Sequence, residues 1–251
     1  MSLCPVVNVI DEKCNSCHQC IAVCPVKICL DGSGDTVKIN HDLCIGCGSC
    51  IRACPHEARK GIDDWDSFLA DSRNGTEMIA VVAPSAAATF ADKLLRLNGF
   101  LASLGVTAFF DVSFGAELTV RSYLKHIESP SPAMVISQPC PVVVNYLEIY
   151  QSPLLAYLAP ADSPMVHTMK MIRTWYPRYR AHKIAVISPC FAKKREFAAT
   201  GFGDYNLTFD SLQSYLETAR LSLDRFPEVD FENPPRSGRS SSPPPEDSSR
   251  P

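Results

Sequence analysis

Ten of the chain's twelve cysteines lie before residue 55, and eight of these form a repeat. Cys14, Cys17, Cys20 and Cys24 are followed by Pro25, and Cys44, Cys47, Cys50 and Cys54 by Pro55. Each run reads C-x2-C-x2-C-x3-C-P, the second offset from the first by 30 residues. Three thiols spaced this way sit on a loop that wraps one polynuclear cluster. Backbone N–H groups turn toward the cluster's sulfides and offset its negative charge. The fourth cysteine is expected to start a helix, and the proline after it redirects the chain. The spacing, given twice with its proline, points to two [4Fe–4S] clusters rather than to zinc sites or a disulfide framework. Twelve cysteines behind an N-terminus with no signal-peptide pattern agree with metal thiolates and a cytoplasmic location.

The tandem resembles the two-cluster ferredoxins, in which the fourth cysteine of each run serves the other cluster. The resemblance implies Cys14, Cys17, Cys20 and Cys54 at cluster one. It implies Cys44, Cys47, Cys50 and Cys24 at cluster two. This interlock makes residues 1–60 one folding unit of the α+β, ferredoxin-like class. Cys4 and Cys29 fall outside the repeat and read as packed or exposed thiols. His18, His41 and His56 read as loop residues, because four thiolates already serve each cluster.

The elements behind this module follow a different pattern. Residues 56–75 are polar, and residues 61–76 read as a linker. Strands are then expected at 79–83, 107–112, 133–137 and 183–188. Helices are expected at 90–104, 118–127, 142–150 and 165–176. Alternating strands and helices predict an α/β domain over residues 77–235 with a largely parallel sheet. Ligands bind such sheets at the carboxyl ends of their strands. The two remaining cysteines belong there, in Ser137-Gln138-Pro139-Cys140-Pro141 and in Ser188-Pro189-Cys190.

These two segments carry a second resemblance, to the iron-only ([FeFe]) hydrogenase large subunit family. Cys140 is similar to the ligand of the family's T-S-C-C-P signature. Pro189, Cys190, Lys193 and Glu196 match its M-P-C-x-x-K-x-x-E signature. Ala83-Pro84-Ser85 and Phe110 to Thr119 resemble earlier family segments. The resemblance implies a hydrogen-cluster pocket, in which a cubane is joined to a di-iron centre. Cys140 and Cys190 would ligate that cubane. Lys193 would donate to a di-iron cyanide, with Glu196 beside it.

Two departures bear on activity. Pro139 stands where the family has a proton-delivering cysteine, and proline carries no exchangeable proton. This resembles the family's sensory branch. The family's third, cysteine-bearing signature is absent: after Pro235 the sequence turns to Arg, Ser and Pro. Residues 236–251 are expected to be a disordered tail, and the tail fits a family-like apolar continuation read one base out of frame. The sequence-level expectation is an iron–sulfur electron-transfer protein of hydrogenase type, not catalytic alone. A third cubane or H-cluster would belong to the full-length family form. A stand-alone dicluster electron carrier with a docking domain is the alternative. Expected partners are a redox protein and either the missing C-terminal half or a signalling protein. With net charge −3, no basic patch and no run of 18 apolar residues, neither nucleic acid nor a membrane span is expected.

Overall fold

The computed structural model describes residues 3–128 and 134–233. The first module is built from β1 (Val7–Val9), α1 (Gln19–Ala22), β2 (Leu30–Asp31), β3 (Lys38–Ile39), α2 (Ser49–Arg52) and β4 (Arg59–Gly61). β1 pairs antiparallel with β4, and β2 with β3. The sequence repeat is also a backbone repeat. Positive φ recurs 30 residues apart at Ser16 and Gly46, at His18 and Gly48, and at Lys27 and Glu57. Left-handed residues set between right-handed ones turn successive N–H groups into a concavity, which the cysteine loops require. One expectation is corrected. Each short helix begins just before the third cysteine of its run, and Cys24 and Cys54 lie beyond its end. The left-handed residues at 18 and 48 start the helix one turn early, so the fourth cysteine leaves toward the other loop.

The second domain follows as α3 (Trp65–Arg73), β5 (Met78–Val82), α4 (Ala86–Phe90), α5 (Leu94–Ser103), β6 (Val106–Asp111), α6 (Ser113–Ile127), α7 (Pro141–Tyr150), α8 (Pro164–Trp175), β7 (Lys183–Ser188), α9 (Lys193–Thr200), β8 (Tyr205–Thr208) and α10 (Phe209–Thr218). The four strands form one parallel sheet in the order β6-β5-β7-β8. Helices cover both faces, so β5 and β8 are buried along their whole length. The chain leaves β5 in one direction to reach β6 and later returns to β5's other side as β7. The crevice beyond the carboxyl ends of β5 and β7 is therefore the sheet's switch point.

Four expectations differ from what is observed. Residues expected as linker carry α3, whose Trp65 and Phe68 are buried against Tyr215 and Tyr205. Burying each of these rings contributes roughly 1.5–3 kcal/mol, which outweighs the polar composition around them. The helix expected over 90–104 breaks at Ala91, where φ is 47°. Residues 134–137 form no strand: Ile136 makes only an isolated bridge with Leu158, and residue 133 lies outside the described residues. β8 and α10 were not foreseen. The tail at 236–251 lies outside the described residues.

α6 and α8 pack at close range because Gly115 faces the Pro164 carbonyl and Thr168; a Cβ there would overlap both. Among the described residues, no helix is long and apolar enough to cross a membrane.

Candidate iron–sulfur centres and the adjoining cysteine pocket

The cysteine loops enclose two cavities. The first is lined by Cys14, Cys17, Cys20 and Cys54 together with His18, His56 and Arg59. The second is lined by Cys24, Cys44, Cys47 and Cys50 together with Cys29 and an aliphatic wall. Each cavity thus gathers three cysteines from one motif and the fourth from the other, the partition the ferredoxin resemblance implies.

The residues fit a polynuclear cluster better than a single ion. Among the described residues, no three Cys, His, Asp or Glu side chains converge tightly enough to hold one metal ion. The thiols instead stand around a space. At the first cavity the Arg59 guanidinium is buried, donates to Cys20 Sγ at 3.3 Å and to the Val37 carbonyl at 2.7 Å, and leaves Nη1 without a partner. A buried cation with a spare donor on the cavity wall suits an anionic occupant. Backbone N–H groups of Val37 and Ser16, helped by Arg59, hold the Cys14 thiol below its ordinary value. At the second cavity the Cys29 thiol donates toward Cys44. That bond holds Cys44 down to about 6, while Cys29 itself is raised. Burial pushes Cys50 up to about 12.

Cys140 and Cys190 come together at the switch point of the sheet. Cys140 caps α7, with Pro141 as the helix's first residue, where a missing N–H costs nothing. Cys190 follows β7. Its N–H donates to Ser188 Oγ at 3.4 Å, and its carbonyl accepts from the buried Asn206 at 3.0 Å. Burial raises the Cys190 thiol, and the neighbouring Cys140 raises it further. Lys193 Nζ meets Glu196 Oε2 at 2.6 Å, one helical turn apart, and both side chains are nearly buried. In this state Lys193 is committed to its own helix. Cys140 and Cys190 supply two of the four thiolates a cubane takes.

The structure also brings forward residues that sequence reasoning passed over. Arg195, one residue before Glu196, is buried and donates to the carbonyls of Cys4 (2.9 Å), His41 (3.1 Å) and Cys44. Asn145 of α7 donates to the Ile45 carbonyl at 3.3 Å, and the Tyr150 hydroxyl to that of Leu43. Phe191 covers Gly61, where any Cβ would overlap its ring. The helices that follow Cys140 and Cys190 are thereby fastened to the loop carrying Cys44. Their only sequence signal is proximity to the signature. For Arg59 and Cys29 a signal existed: they are the same position of the repeat, 30 residues apart.

Comparison with known proteins agrees with this arrangement. Two 4Fe-4S binding domain profiles match residues 11–27 and 37–60. The nuclear prelamin A recognition factor of Rattus norvegicus is 29% identical over 155 residues, covering 53% of this chain and 34% of that protein. The NADP-reducing hydrogenase subunit HndD of Solidesulfovibrio fructosivorans is 23% identical over 260 residues, covering 91% of this chain and 39% of that protein. The solved structure of an [FeFe]-hydrogenase superposes with a TM-score of 0.58 at 20% identity, over 68% of this chain and 52% of the other, which shows a shared fold. The chain thus spans about a third to a half of the length of these relatives. The family described as iron only hydrogenase large subunit, C-terminal domain, matches residues 76–243. The chain belongs to this iron-only hydrogenase large-subunit family and carries two 4Fe-4S binding domains in front of the hydrogenase-type domain.

Proposed function

We propose that the chain relays electrons between a redox partner and the Cys140–Cys190 pocket, through clusters held by the two cysteine sets, and that it does not turn over hydrogen by itself. Bound in these cavities, each cubane supplies a one-electron couple. The observation that carries the reading is the asymmetric placement of the two cavities. Cys17, at the first, is exposed. The loop of the second is tied to α7 and α9 through Asn145, Tyr150 and Arg195. The first set thus carries an exposed cysteine, and the second backs onto the helices that follow Cys140 and Cys190.

Two of the chain's own residues support the reading that it does not turn over hydrogen. Pro139 precedes Cys140 and offers no exchangeable proton. Lys193 is held by Glu196. A proton therefore has no side-chain donor at the residue before the ligand, where the family resemblance puts one. The partner is a small redox protein. The other partner proposed is the remainder of a hydrogenase domain or a signalling protein, docked on the second domain.

Anaerobic reconstitution, followed by titration with a one-electron donor and a hydrogen-uptake assay, tests the proposal. Uptake of about two electrons per chain, one per cubane, with no hydrogen turnover is expected. Hydrogen turnover by the isolated chain would overturn it.

A further inference from the structure

Cys29 lies outside both motifs, yet it lines the second cavity with Cys24, Cys44, Cys47 and Cys50. It is 2% exposed, and its Sγ stands 3.7 Å from that of Cys24. A cubane takes four thiolates, and this cavity presents five. The two sulfurs meet because the chain reverses between them: Lys27 has φ 51°, and its carbonyl accepts from Leu30 N–H at 2.9 Å. Cys24, two residues past the end of α1, and Cys29, the residue before β2, are thus brought face to face. The rest of the wall is Val7, Val26, Leu30, Ile39 and Ile45, where an aliphatic side chain would fill the position as well. The equivalent position in the other half of the repeat, Arg59, also reaches a cluster cysteine, donating to Cys20 Sγ. Both halves therefore use this position to address a thiolate, one with a guanidinium and one with a thiol.

We infer that Cys29 is a reserve ligand of the second cluster, able to take the iron that Cys24 holds; this rests on the dicluster reading above. In the exchange the iron–sulfur bond to Cys24 breaks and one to Cys29 forms. The Cys29 proton passes to the departing Cys24 thiolate. No electron is gained or lost.

The test compares wild type, Cys29→Ala, Cys24→Ala and the double variant after anaerobic loading, by iron and sulfide content and by EPR of the reduced protein. Wild type and Cys29→Ala are expected to hold about eight irons, Cys24→Ala about eight with an altered EPR signal, and the double variant about four. A drop to about four in Cys24→Ala, equal to the double variant, overturns the inference. So does a drop in Cys29→Ala alone, which would make Cys29 the resident ligand. A wild type that binds no cubane would refute the dicluster reading instead. Should Cys24→Ala also lose the first cluster, Cys24→Ser is compared with Cys24→Ser/Cys29→Ala. An all-thiolate signal only when Cys29 is present supports the inference, and identical signals overturn it.

Discussion

Replacing Arg195 with methionine is the perturbation most specific to this architecture. The side chain is 5% exposed and donates to three carbonyls of the cysteine module, those of Cys4, His41 and Cys44. Methionine keeps most of the stem's packing and removes every donor. Each hydrogen bond from a charged donor is worth about 1.5–3 kcal/mol. The three share one side chain, so their sum overstates the loss. The groups left behind are neutral, part-buried carbonyls, each costing about 1–3 kcal/mol when fully buried and unpaired, so the expectation is about 3 kcal/mol. For a chain of this size that corresponds to a fall in Tm of roughly 6–12 °C. Anaerobic melting followed by far-UV circular dichroism measures it. Lys93→Met is the control. Its pair with Asp224 is 39% and 57% exposed, and its loss is expected to cost no more than about 0.5 kcal/mol. If Arg195→Met melts within error of Lys93→Met, the view that α9 fastens the two modules is wrong.

Other outcomes follow from single contacts. Gly115→Ala forces a methyl group against the Pro164 carbonyl and Thr168, and should destabilise by about 1–3 kcal/mol in denaturant titration; no change would mean α6 and α8 can separate freely. Lys193→Met leaves Glu196 nearly buried without its cation and should cost about 3–5 kcal/mol, most of it recovered in Lys193→Met/Glu196→Leu; a double variant no better than the single would refute the pairing. Hydrogen bonds from Lys183 and Tyr205 hold the Asp71 carboxyl below its ordinary value. A depressed carboxylate contributes stability above its unfolded value and loses it as pH falls through the folded one. Wild type should therefore lose stability below about pH 4 more steeply than Asp71→Asn, and parallel acid limbs would exclude this contribution.

The grouping of the eight motif cysteines around two cavities was legible in their spacing. The 30-residue cysteine offset reappears as a 30-residue offset in positive φ, since a loop that wraps a cluster needs the same backbone at each ligand. β7 was readable because a fully buried parallel strand is a continuous apolar run, Ile184 to Ile187. α3 was hidden because only one face of a nine-residue helix is apolar, and Asp66, Ser67, Asp71, Ser72 and Arg73 make most of its composition polar. The Ala91 break was hidden because a helix-forming residue gives no signal of its own backbone. Arg195 was hidden for another reason: its three acceptors are carbonyls more than 150 residues away, which no local pattern encodes.

The central claim is that the two thiol-lined cavities each hold a cubane. Iron and sulfide quantitation with EPR after anaerobic reconstitution tests it most directly. The account predicts about eight irons and eight sulfides per chain, with interacting cubane signals on reduction, because the two cysteine sets interlock. Zinc in place of iron, or iron without sulfide, would contradict it.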